Sequence, residues 1–289
     1  VSADFLAALW RIQFRVDAAP SFGQQERFGL WESPTGLYFF DPMIEGDQDF
    51  YAQFYARLID RKLWGHDVIR REFEVAAQWI KPGDQVLDVG CGFANFRRVI
   101  PQANYVGLDP NFAEGSAVAG VCNQTLSEHL ATHAGSYDAV CAFEVLEHLQ
   151  SPVDVFVDMV RATRPGGYVI VGVPQIPSAM TRIPNFLLSA PPHHLTWWTK
   201  PALHALAAKG DVTVEHIENV DWDEANALIY WIARCSPIRC SNVHFRDAWS
   251  WHAASLFGLL AGWLMRAARK TPRRADEGSG LLLVTRRKG

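Results

Sequence analysis

The sequence predicts a doubly wound α/β fold on a mostly parallel sheet, with an N-terminal helix and hairpin cap and a helical insertion ahead of the last strand. From Lys81-Pro82-Gly83-Asp84 onward, short apolar runs alternate with helical patterns, and strands joined by crossover helices pair in parallel. The first run, Val86-Leu87-Asp88-Val89-Gly90-Cys91-Gly92, meets a glycine turn directly after a carboxylate. The second, Tyr105-Val106-Gly107-Leu108-Asp109, again ends in an acid, seventeen positions after Gly92.

The elements follow in chain order. Phe5, Leu6, Leu9, Trp10 and Phe14 fall at helical spacing and predict an amphipathic opening helix. Residues 27–40 read as two short strands around Ser33-Pro34-Thr35-Gly36, a hairpin with proline in its turn. Phe50, Tyr51, Phe54, Tyr55 and Leu58 lie on one face of a further helix. This N-terminal part is expected to cap the core. Core strands are expected near 85–89, 104–108, 137–142 and 167–173, with Val153, Phe156, Val157 and Val160 as the buried stripe of the helix between the last two. Thr199 is suited to cap a helix that carries Pro201 in its first turn, turns Leu203, Leu206 and Ala207 inward, and stops before Gly210. Val212 and Val214 mark the strand after it. Residues 281–284 are apolar without alternation, as in a strand buried on both faces.

The first turn carries a chemical preference. Asp88 would repel a dinucleotide pyrophosphate and attract a ligand bearing an ammonium and a sulfonium. Gly90 and Gly92 let a ligand approach the main chain, but Asn95 stands where the third glycine of a dinucleotide fingerprint is due. A carboxylate about 20 residues beyond such a turn is placed to accept hydrogen bonds from both hydroxyls of a ribose, which is the position of Asp109. These features favour S-adenosylmethionine over a nicotinamide cofactor.

The run from Tyr137-Asp138-Ala139-Val140 through Phe143-Glu144-Val145-Leu146-Glu147-His148-Leu149, followed by Arg164-Pro165-Gly166-Gly167, makes the preference specific. It resembles class I S-adenosylmethionine-dependent methyltransferases, closest to the small-molecule branch that includes the ubiquinone-biosynthesis O-methyltransferases. In that branch a strand ends in Glu-Val-Leu-Glu-His and the next helix is closed by Arg or Lys-Pro-Gly-Gly. The likeness covers about residues 81–220 and the last ten. It implies a Rossmann-like, seven-stranded sheet whose antiparallel seventh strand, 281–284, is inserted beside the fifth. The chain then divides into a cap segment 1–80, a core 81–220, an aromatic-rich helical insertion 221–279 and a last core strand 280–289.

The resemblance also implies a site. Asp88, Val89, Gly90, Cys91 and Gly92 surround the methionine moiety of S-adenosyl-L-methionine, Asp109 holds the ribose, and Pro110 borders the adenosine. Asn123, Thr125 and Leu126 form the adenine wall, and the Phe143 carbonyl receives the methionine ammonium. Ala94 stands where many relatives have a glycine. The product is S-adenosyl-L-homocysteine. Methyl transfer rests mainly on in-line positioning, and a hydroxyl acceptor also needs a base. His148, with Glu144 nearby, is the candidate base, and His194 of the Pro191-Pro192-His193-His194 segment lines the acceptor pocket beside Trp197 and Trp198. The packing alternative for Trp198 is a rigid loop.

Composition narrows the partners. A formal net charge of −4 and a pI near 6.2 supply no basic field, so nucleic acid is not expected as the main partner; the small-molecule methyl acceptor is what the resemblance implies. Five scattered cysteines in a chain of this length fit reduced thiols and a cytoplasmic setting. Cys235, Cys240, His244 and His252 have a spacing that four-coordinate zinc would accept, but it is irregular, and no metal is expected. Residues 248–265 lack Asp, Glu, Lys and Arg and precede Arg266, Arg269, Lys270, Arg273 and Arg274. That pattern suits a packed helix over the substrate site, or peripheral membrane contact through 248–274. The functional alternatives are a nicotinamide-type Rossmann enzyme and a non-catalytic methyltransferase-like binding protein. Methylation at an oxygen of the small-molecule acceptor is the reaction the resemblance implies.

Overall fold

The computed structural model describes residues 1–61, 69–110, 120–223, 226–268 and 278–289. In chain order the elements are α1 (Ala3–Phe14), α2 (Ala19–Phe22), β1 (Gly29–Glu32), β2 (Tyr38–Asp41), α3 (Gln48–Asp60), α4 (Arg71–Ala77), β3 (Gln85–Val89) and β4 (Asn104–Leu108). There follow β5 (Val121–Cys122), α5 (Leu126–His133), β6 (Tyr137–Phe143), α6 (Pro152–Ala162), β7 (Thr163–Pro174) and β8 (Thr196–Trp197). The chain continues through α7 (Lys200–Ala207), β9 (Val212–Val220), α8 (Ala227–Cys235), α9 (Trp249–Ala267) and β10 (Gly280–Arg287). Contacts divide it into two units. One comprises residues 1–64, 175–199 and 221–280, the other 65–174, 200–220 and 281–289.

The second unit holds a seven-stranded sheet in the order β5-β4-β3-β6-β7-β10-β9. Strands β5, β4, β3, β6 and β7 run parallel, so the order reverses direction at β3, where crossovers leave in opposite senses. β10 runs against β7. Thr285 donates to the Val169 carbonyl, Arg286 Nε to the Gly166 carbonyl, and the Lys288 N–H to Asp211 at the head of β9. Leu281, Leu282, Leu283 and Val284 are all buried, as expected of a strand covered on both faces.

Three local expectations give way. Helix α6 buries Pro152, Phe156, Met159, Val160 and Ala162, whereas Val153 is exposed and Val157 half-buried. Pro152 at the first turn sets the phase, and positions four, seven and eight beyond it face inward, leaving Val153 about 100° off that line. The Arg164-Pro165-Gly166-Gly167 run does not close α6. The helix ends at Ala162, and these residues already belong to β7, which makes the strand longer than 167–173. Finally, a short 3-10 turn, Asn95–Val99, follows the glycine turn in place of an α-helix. Pro101 disfavours helical dihedrals at Ile100, and the few residues left before β4 are too short a path for a crossover helix.

In the first unit the opening helix, the hairpin and the helix after it form where the sequence places them. Ser2 caps α1, which buries Leu6, Leu9, Trp10 and Phe14. β1 and β2 pair as the antiparallel hairpin, and β8 adds to β2. Phe50 and Phe54 of α3 pack edge-on against Trp10 at 5.1 and 5.4 Å between ring centroids. α8 and α9 pack together in this same unit. Among the described residues no helix is long and apolar enough to cross a membrane.

Candidate functional site

The motifs gather at the carboxyl ends of β3, β4 and β6. β3 ends at Val89, and Gly90 takes a φ of +69°, which an L side chain rarely adopts. Space gives the same answer, since a Cβ on Gly90 would stand 2.6 Å from Val145 Cγ2. The Leu108 carbonyl accepts the N–H groups of both Gly90 and Cys91, at 2.8 and 3.0 Å. The Gly92 N–H donates to Asp109 Oδ2 at 3.0 Å. The turn leaving β3 is thereby tied to the end of β4. Ala94 also sits at positive φ, +55°, a conformation that costs a non-glycine residue about 1 kcal/mol.

Asp88 is buried, and its Oδ2 accepts a hydrogen bond from the Tyr105 hydroxyl at 2.7 Å. Register explains the reach. Asp88 lies opposite Gly107, which has no side chain, so Tyr105, two residues back on β4, leans along the same face to the carboxylate. Burial pushes the Asp88 carboxyl up to about 7; the Tyr105 bond opposes this and the nearby Asp109 charge adds to it. Near neutrality Asp88 is therefore on the edge of ionisation, unlike the fixed negative charge that the sequence suggests. Cys91 fills the space over Gly107, where a Cβ would come within 2.6 Å of its sulfur, and its thiol is raised by burial and by both acids.

Below the end of β6 lies a partly buried ionic group that joins Glu144 to residues no sequence motif marks. Phe143 packs into the core against Phe73 and Phe96 at 5.0 and 4.8 Å between ring centroids. Glu144 takes a φ of +56°, its N–H donating to the Gly172 carbonyl at 2.8 Å. Arg70 lies 3.2 Å from Glu72 and 3.8 Å from Glu144. Burial opposes the Arg70 charge, but Glu72 and Glu144 outweigh it, and the guanidinium is raised overall. Glu147 is fully buried, and burial followed by the Glu144 charge drives its carboxyl well above the usual range. His148 Nε2 stands 3.8 Å from Glu147 Oε1, beyond hydrogen-bond distance. Arg70 and Glu72 precede every motif, and a charged pair two residues apart at the start of a helix was their only sequence signal.

The other predicted positions are placed as follows. Asp109 is half-buried at the end of β4, and Pro110 is exposed next to residues outside the described set. Asn123 is exposed. Thr125 caps α5 in a reciprocal box with Glu128, and Leu126 turns inward. In the first unit His194 is buried beside His193, which packs on Phe54 at 4.7 Å. Trp198 is buried there too, as the packing alternative holds. Cys235, Cys240, His244 and His252 do not bring three ligand atoms together among the described residues. His244 Nδ1 instead donates to the Thr181 carbonyl at 2.7 Å.

A family model described as a methyltransferase domain matches residues 60–217, more than half of the chain. The chain belongs to the methyltransferase domain family. It is of the class I S-adenosylmethionine-dependent kind, with S-adenosyl-L-methionine as cofactor. A ubiquinone biosynthesis O-methyltransferase of Cronobacter sakazakii is 41% identical over 100 residues, covering 30% of this chain and 41% of that protein. Its counterpart in Escherichia coli K12 is 34% identical over 99 residues, with the same coverage. The methyltransferase thus spans well under half the length of these relatives. Among solved structures, the [4+2]-cyclase SpnF has a TM-score of 0.52 at 17% identity, covering 91% of this chain and 99% of that one. A SAM-dependent methyltransferase from Archaeoglobus fulgidus has a TM-score of 0.51 at 15% identity, covering 81% and 100%. Those two likenesses concern the fold.

Proposed function

We propose that this methyltransferase carries the methyl group of S-adenosyl-L-methionine to an oxygen of a small-molecule acceptor. The observation that supports it most is the pair of acids at the ends of β3 and β4, bracketing a glycine turn whose first residue has neither the dihedrals nor the room for a Cβ. A carboxylate driven up by burial gains most from a cationic neighbour, and a carboxylate beside a backbone N–H suits a vicinal diol. The residues present therefore fit the cofactor, which supplies an electrophilic methyl group when bound. In this reading Asp88, Val89, Gly90, Cys91 and Gly92 hold its methionine end, Asp109 its ribose, and Pro110, Asn123, Thr125 and Leu126 its adenosine end. The Phe143 carbonyl accepts the ammonium. The partial matches to ubiquinone biosynthesis O-methyltransferases favour a hydroxyl acceptor.

A hydroxyl must give up its proton as the new bond forms, and His148 is the residue proposed to take it. Glu147 beneath it, at 3.8 Å, favours the imidazolium to the extent that its carboxylate is ionised, and Arg70 favours that ionisation. Glu144 fixes Arg70 from the other side. His194 is proposed to orient the acceptor. Two measurements test the reading. Calorimetry should give micromolar binding of S-adenosyl-L-methionine and S-adenosyl-L-homocysteine and none of NADH. Incubation of a metabolite extract with methyl-tritiated cofactor should label an ether or ester product. Binding of NADH instead, or cofactor binding with no labelled metabolite, would reject it.

A further inference from the structure

We infer that helix α9 rests on an anionic lipid surface through the face it turns to solvent. The helix is inverted relative to an ordinary surface helix, whose outward side is polar. Its inward side is small: a Cβ on Gly258 would stand 2.7 Å from the Ile232 carbonyl oxygen, and one on Gly262 3.0 Å from the Ile232 nitrogen, so α8 approaches closely there. The large side chains are displaced outward. Trp249, Phe257, Leu260, Trp263 and Leu264 are 54%, 59%, 70%, 62% and 64% exposed. Positions 257, 260 and 264 form one line along the helix, and Ala253 and Ala267 extend it in both directions. An unbroken apolar face of this size marks an interaction surface.

Charge selects the occupant. The insertion 221–279 has eight arginines and lysines against six acids, and between Asn226 and Arg274 the only acid is Asp247, so the basic excess is concentrated at and after the end of α9 in a chain whose formal total is −4. Arg266 ends the apolar stretch, and in the sequence Arg269, Lys270, Arg273 and Arg274 follow. Two copies meeting through this face would bring like charges together, whereas an anionic bilayer offers an apolar interior below a negative surface. Helix α9 lies on that surface and does not span it, since no helix among the described residues is long and apolar enough to cross.

Co-sedimentation of the protein with vesicles tests this. Wild-type protein should bind phosphatidylcholine vesicles containing phosphatidylglycerol at least about tenfold more tightly than phosphatidylcholine alone, and lose that advantage as salt is raised. The triple variant Phe257→Ser, Leu260→Ser, Leu264→Ser should lose at least about tenfold of this affinity while keeping its circular dichroism and cofactor affinity. Leu260→Glu, a single change at the most exposed position, should act in the same direction. Equal binding by wild type and both variants overturns the inference, as does failure of the wild type to bind the mixed vesicles. Wild-type self-association that the triple variant abolishes, without vesicle binding, assigns the face to a second copy and overturns it too.

Discussion

The Tyr105 hydroxyl donates to Asp88 Oδ2 at 2.7 Å across the space that Gly107 leaves opposite the acid. This bond is what lowers the proton affinity of a carboxyl that burial has pushed up to about 7. Tyr105→Phe should raise the Asp88 value further and weaken cofactor binding several-fold at pH 7. Carbon-detected NMR titration of the Asp88 carboxyl reads the shift directly, and an unchanged value would show that the bond carries no weight.

The same acid predicts two pH dependences. Its folded pKa lies above the unfolded value, so the folded state holds the proton more tightly, and the stability this gives is present at pH 4 and lost as pH rises through about 7. Asp88→Asn should flatten that part of the stability profile of the cofactor-free protein in urea titrations at stepped pH. Cofactor affinity should run the opposite way, strengthening from pH 5.5 to 7 as Asp88 ionises, about tenfold per pH unit at the limit. A flat calorimetric profile in the wild type would remove Asp88 from cofactor recognition.

Gly90 is constrained twice, by dihedral and by space. Gly90→Ala should cost about 2–3 kcal/mol of stability. Adding Val145→Ala should return only the steric part, because the φ of +69° remains. Full recovery in denaturant melts of the double variant would mean that the dihedral costs little.

Arg70 lies 3.2 Å from the buried Glu72 and 3.8 Å from Glu144, and its charge also acts on the fully buried Glu147, whose carboxyl burial already penalises. Arg70→Ala should destabilise the fold by about 3–5 kcal/mol at neutral pH, since it leaves buried acids without their cation. The deficit should shrink on acidification as those acids take up protons. Chemical denaturation at pH 5 and pH 7.5 separates this from a plain packing loss, which would not change with pH.

Replacing His148 with alanine should lower turnover about 10²-fold or more on a hydroxyl acceptor while cofactor affinity holds. His194→Ala should act mainly on KM for the acceptor. Label transfer with each variant distinguishes the two, and unchanged turnover in His148→Ala would leave positioning as the whole of the catalysis.

How much of this was legible in sequence differs from element to element. Strands β3 and β4 fall on the expected 85–89 and 104–108, because each is an apolar run stopped by an acid and a turn residue. A doubly covered strand was readable from 281–284, where lack of alternation signals two covered faces, while its place as the seventh strand came from the resemblance. Val153 was misplaced because a run rich in valine supports more than one helical phase, and the first-turn proline chooses among them. The contact of Tyr105 with Asp88 needs strand register, and the grouping of Arg70 with Glu144 and Glu147 joins residues about 75 positions apart, neither of which periodicity encodes. The glycine turn was visible, but not the 3-10 segment behind it.

One carbonyl, that of Leu108, takes two amide protons from the neighbouring turn, and the acid directly after it takes a third. The spacing between the two halves of the cradle is thus set by two main-chain bonds and one bond to the Asp109 carboxylate. Side-chain changes at positions 91 or 105 can retune charge and affinity while the two bonds to the Leu108 carbonyl keep the frame, so selectivity here should be open to redesign without rebuilding the scaffold.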